Sequence, residues 1–217
     1  MKYPQSGFTL VEIAIVVVIF GLLVGGVLMG QEMINSAKAK SYVQDFRIIQ
    51  SALYGFQDRF KGIPGDLRDA DIKITGAARL TSITVGNGQI DGDWDSTNVS
   101  DESCVAWQHM RLAGFLAGNT TVNCATASPY LQINADGNRV GISSTVPITG
   151  IAGRYYICSA GVVGKIAKQL DIQLDDGKTD SGLFRVAKQK APGAPVEPAI
   201  RTADIEDPTA YTVCLAI

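Results

Sequence analysis

The sequence predicts an α+β protein in which one long N-terminal helix packs on an antiparallel sheet. Three observations point to it. Residues 13–31 are nineteen consecutive positions without a charge. Apolar residues then recur at three- and four-residue steps as far as residue 60, and the C-terminal half breaks into short β-rich runs separated by Gly, Pro and Asp turns.

At about 1.5 Å per residue the uncharged run would span about 28 Å as a helix, enough for one bilayer crossing. A short polar leader, residues 1–7, precedes it and carries a single charge, Lys2. A secretory signal places its small-residue cleavage site after the apolar core. Here Gly7 comes before the core, so removing the leader would leave the apolar helix on the product. Glu12 stands out, because a carboxylate near the end of a lipid-embedded helix costs a few kcal/mol and calls for a cation. Cleavage after Gly7 would create one: the new α-amine of Phe8 lies about one turn from Glu12, on the same chain or a neighbour.

Residues 31–60 contain no proline and one glycine, Gly55. Ala39, Tyr42, Phe46, Ile49, Leu53, Phe56 and Phe60 form one helical stripe, with Lys38, Lys40, Gln44, Asp45, Arg47, Gln50 and Asp58 mostly on the other side. Apolar run and amphipathic segment together read as a single helix about 80 Å long. Its weak points are Gly21, Gly25, Gly26 and Gly30.

The string Gly7-Phe8-Thr9-Leu10-Val11-Glu12, followed by Ile-Ala-Ile-Val-Val-Val-Ile, resembles the class III leader of type IV prepilins and type II secretion pseudopilins. The resemblance implies the pilin fold. It also implies cleavage after Gly7 by a membrane-embedded prepilin peptidase, N-methylation of Phe8, and a role for Glu12 in assembly, where it meets the N-terminal amine of an adjacent subunit. The domains that follow are a leader at 1–7, a membrane or filament-core helix at 8–30, and an exported globular domain at 31–217 that includes the second half of the helix. The mid-helix proline of many pilins is absent, so any melting on assembly would fall at the four glycines.

Gly62-Ile63-Pro64-Gly65-Asp66 stops the helix near Lys61, since proline cannot continue it. Residues 66–90 read as an irregular connection with a short strand at 82–85. Asp91, Asp93, Asp95, Thr97 and Glu102 then approximate the ligand spacing of an EF-hand calcium loop. Against that, Ser96 replaces the turn glycine and no helix precedes Asp91. The segment therefore reads first as a solvated acidic turn and second as a calcium site, and calcium is the cofactor considered.

A second helix is expected over residues 101–116, capped by Ser100, with Val105, Met110 and Leu112 in the core and Trp107 and Phe115 adding aromatic bulk. His109, the sole histidine, excludes a two-histidine zinc site, and its helical position favours a structural role. Strands are expected at 130–134 and 139–142 around an Asp136-Gly137 hairpin turn, and at 154–159, 183–188 and 211–217. Asp175-Asp176-Gly177 reads first as a turn and second as a metal site, and residues 190–198, with three prolines, as a surface loop.

Cys104, Cys124, Cys158 and Cys214 all follow the apolar run and form no Cys-x-x-Cys pair, so two disulfides in an oxidising compartment are expected. Three pairings are open and the sequence does not choose among them. The expectation adopted here is Cys104 with Cys124, closing a local loop, and Cys158 with Cys214, tying a central strand to the last one. The net charge of −2, with Lys and Arg scattered, gives no nucleic-acid footprint.

These readings imply a structural subunit rather than an enzyme. The expected role is a type IV pilus or pilus-like filament serving adhesion, twitching motility or DNA uptake. Implied partners are the prepilin peptidase, an inner-membrane assembly platform, and further subunits in a homo-oligomeric filament or minor-pilin complex. The expected location is the inner membrane, single-pass with the C-terminal domain exported, and then a periplasmic or cell-surface filament. Alternatives are a type II secretion pseudopilin and, from another class, a membrane-tethered periplasmic enzyme or ligand-binding domain, which lacks a recognisable nucleophile motif.

Overall fold

The computed structural model describes residues 9–217. The first helix, α1 (Leu10–Phe60), is shared by two compact units, one reaching to Lys38 and the other formed by Ala39–Ile217. In the first unit α1 has no buried side chain, and it is long and apolar enough to cross a membrane.

In the second unit the same helix becomes amphipathic. Ala39, Tyr42, Val43, Phe46, Ile49, Ala52, Leu53 and Phe56 are buried, the stripe expected from their spacing. Lys61 then adopts a left-handed φ of 50° and ends the helix, one residue before the Gly-Ile-Pro-Gly turn.

The stripe packs on a five-stranded sheet of order β1-β2-β4-β7-β5, antiparallel throughout: β1 (Gln132–Ile133), β2 (Arg139–Ser143), β4 (Tyr156–Val163), β7 (Ala210–Ala216) and β5 (Phe184–Lys188). Val140, Ile142, Ile157, Val162, Phe184, Val186, Val213 and Leu215 share one core with α1, and Phe184 meets Phe46 edge-on at 6.2 Å. Tyr156, Cys158, Ala187, Cys214 and Ala216 alternate to the opposite face, where Trp94, Ile148 and Ile151 cover them. Both faces of the sheet are therefore buried.

The remaining elements are α2 (Ala70–Lys73), α3 (Glu102–Leu112), β3 (Ile148–Thr149), α4 (Gly164–Leu174), β6 (Glu197–Pro198) and a 3₁₀ turn, Thr202–Asp204. β3 and β6 form a small parallel pair, so the expected 190–198 loop ends in strand. The strand expected at 82–85 is a pair of turns instead. Val85 N–H donates to the Ser82 carbonyl, Ser82 and Thr84 hydroxyls bond each other, and Ile83 is exposed.

Helix α3 is shorter than expected. Gly114, at φ +82°, lets Phe115 N–H turn back to the Met110 carbonyl. Its N-cap position is held by Asp101, not Ser100, and Asp101 directs its carboxylate to Asn98 and Ser96. Helix α4 has no counterpart among the expectations. It follows β4 directly, and its buried Ile166, Ala167 and Leu170 join the main core.

Candidate functional site

The start of α1 is built by two side chains. Thr9 stands just before the first helical residue, and its carbonyl accepts the amide of Ile13. Its hydroxyl accepts the Glu12 amide at 3.2 Å, while Glu12 Oε2 accepts the Thr9 amide at 2.8 Å and the Thr9 hydroxyl at 2.9 Å. This is a reciprocal capping box, in which residue and cap each satisfy an amide that the first turn leaves open. The Thr-x-x-Glu spacing could have revealed it in the sequence. Glu12 thus has a local task besides any contact with another subunit. Gly7 and Phe8, the expected cleavage and methylation positions, lie outside the described residues.

Behind the cap, seventeen large apolar side chains between residues 10 and 34 are exposed, among them Phe20 and Leu22. Burying each stabilises by roughly 1.5–3 kcal/mol, so together they represent tens of kcal/mol, more than the roughly 5–15 kcal/mol that holds a domain folded. Such a surface requires lipid or other apolar helices around it. At Gly21, Gly25, Gly26 and Gly30 nothing lies within 4 Å of where a side chain would begin. These are bare notches along an otherwise bulky helix.

The remaining predicted residues lie in the second unit. Disulfides join Cys104 to Cys124 and Cys158 to Cys214, and there is no free cysteine among the described residues. Cys158 and Cys214 face each other in the register of β4 and β7.

Of the expected calcium ligands Asp91, Asp93, Asp95, Thr97 and Glu102, no three carboxylates bring oxygens within 4.8 Å of one another. Glu102 Oε2 accepts the Asp91 amide at 2.9 Å, and Asp95 faces Lys190 at 3.8 Å, both side chains being buried. Backbone carbonyls of the turn are taken by protein donors: Gly92 by Ser143 Oγ, Asp93 by Ser103 Oγ, Asp95 and Ser96 by the Arg139 guanidinium. The segment works as a plug. It lays Trp94, 4% exposed, over Gly141 of β2, where any larger residue would run into the Trp94 carbonyl. Desolvation, with the nearby Asp66, Asp91 and Asp101 charges, pushes the buried Glu102 carboxyl up to about 7.

His109 is fully buried and occupied on both ring nitrogens. Nδ1 accepts the Gly65 amide at 3.0 Å, so the proton sits on Nε2, which reaches the Ala78 carbonyl at 2.8 Å. It pins two loops and is not poised as a catalytic base. Asp66, which sequence reasoning passed over, does similar work: its carboxylate accepts the amides of Gly86, Asn87 and Gly88. The Pro-Gly-Asp turn after α1 thereby organises the segment 86–88, a pairing across twenty residues that no local signal announces.

No curated protein matches the chain significantly. Residues 2–28 match the family described as the prokaryotic N-terminal methylation motif, and the match covers the N-terminal segment alone. Together with the long apolar helix, this fits a membrane-anchored, single-pass protein. The chain carries the class III prepilin leader signature ahead of a long apolar helix.

Proposed function

We propose that the protein is a structural subunit of a type IV pilus or pilus-like filament, cleaved after Gly7, N-methylated at Phe8 and polymerised through α1. The observation that carries this reading is the exposed apolar half of α1, directly behind a cleavage-type glycine and closed by the Glu12 cap. In the membrane, lipid covers that surface. In the filament, neighbouring copies of the helix cover it, and the disulfide-linked domain 39–217 faces outward. The prepilin peptidase and an inner-membrane assembly platform are the partners this route requires, and the domain is exported.

Electron microscopy of cells labelled with antibody against residues 39–217 tests it. Labelled filaments are expected for the natural chain, with filaments lost and membrane-bound protein retained in Glu12→Ala. Label beyond the outer membrane assigns a pilus, and label confined below it assigns a secretion-type filament. Protein that stays dispersed in the membrane under conditions of active assembly would overturn the proposal.

A further inference from the structure

The corner where α4 meets the loop before β5 holds a buried carboxylate without a hydrogen-bond partner. Asp171, on the last turns of α4, is completely buried, and neither of its carboxylate oxygens has a hydrogen-bond partner. A buried carboxylate left this way is costly unless a cation or a proton meets it. One oxygen each of Asp171, Asp175 and Asp176 lies within 4.8 Å of the others. Two oxygens on one calcium ion are separated by at most about 4.6–5.2 Å, so a single ion can touch all three.

The loop is shaped around these carboxylates. Asp175 Oδ2 accepts the Phe184 amide at 2.9 Å, and Gly182, at φ +71°, leaves the space that this carboxylate occupies. Asp176 is held by the Lys178 amide at 2.8 Å and the Ser181 hydroxyl at 2.9 Å. Burial raises the Asp171 carboxyl to about 7, and the negative charges of Asp176, Asp175 and Asp180 add to the shift. Lys178 acts on Asp176, the exposed member of the three.

We propose that Asp171, Asp175 and Asp176 bind a hard divalent cation, calcium in preference to magnesium. Three carboxylate oxygens, one from the end of α4 and two from the glycine-containing loop after it, suit calcium's flexible shell of about six to eight oxygens better than the strict octahedron of magnesium, with main-chain carbonyls and water completing the set. The ion would tie the C-terminal end of α4 to the loop that leads into β5. An affinity of about 10⁻⁴ to 10⁻³ M, usual for extracellular calcium modules, is expected. The inference is independent of the filament reading.

The test uses the full chain in detergent, stripped with chelator, with calcium chloride or magnesium chloride as the only added ligand. Calorimetric titration should give one calcium site, and the thermal midpoint should rise with calcium. Asp176→Asn, at an exposed position, should weaken binding at least about tenfold. Asp171→Asn should melt no lower than the stripped natural chain and lose the calcium response, while Asp93→Asn should keep it. Absence of binding up to about 10 mM of either ion, or binding unchanged by Asp171→Asn and Asp176→Asn, would overturn the site. Equal affinity for magnesium would overturn the choice of calcium.

Discussion

His109 shows how much of this molecule is decided by single buried polar groups. Its Nδ1 must stay unprotonated to accept the Gly65 amide, and burial lowers the imidazole pKa. The unfolded chain therefore binds a proton first, so this residue's contribution to stability falls as pH drops below about 6.5. His109→Gln is expected to cost about 2 kcal/mol at pH 7 through unmet amide and carbonyl groups. The gap to the natural chain should narrow between pH 7 and pH 5 in urea unfolding of the detergent-solubilised protein, and a gap that widens would contradict the assignment. The histidine was legible as structural from its place in a helix. Its partners were not, because Gly65 and Ala78 lie more than thirty residues upstream.

At the scale of elements, periodicity carried furthest where one element meets one core. The stripe from Ala39 to Phe56 and the β2, β4, β5 and β7 runs alternate as their sequences do. α4 escaped because it begins directly after a strand, with Val163 and no polar cap at its start, and spans only eleven residues. The acidic turn has the ligand spacing of a calcium loop, yet its geometry is set by Arg139 and Ser143, donors some forty to fifty residues away that capture its carbonyls. Its task is to seat Trp94 against Gly141. Gly141→Ala should therefore destabilise by about 1–3 kcal/mol and shift Trp94 fluorescence. An alanine variant with unchanged stability and emission would show that the plug does not depend on this close approach.

Over the whole molecule, the two disulfides and the apolar half of α1 set the conditions under which the chain can exist. The Cys158–Cys214 link spans 56 residues and the Cys104–Cys124 link 20, so loop closure favours the former by about 1 kcal/mol. Replacing both cysteines of the longer link by alanine should cost about 4 kcal/mol, and of the shorter about 3, in chemical unfolding. The reverse order would point to strain or residual structure as the larger effect. The N-terminal half of α1 was the most legible part of the sequence, because an uncharged run needs no tertiary partner to be recognised. The central claim, that Gly7 marks a processing site ahead of a retained apolar helix, is tested most directly by intact mass and N-terminal analysis of protein extracted from membranes with and without active prepilin peptidase. Loss of residues 1–7 and a methylated Phe8, only when the peptidase is active, is the expected result, and an unprocessed Met1 in both cases would contradict it.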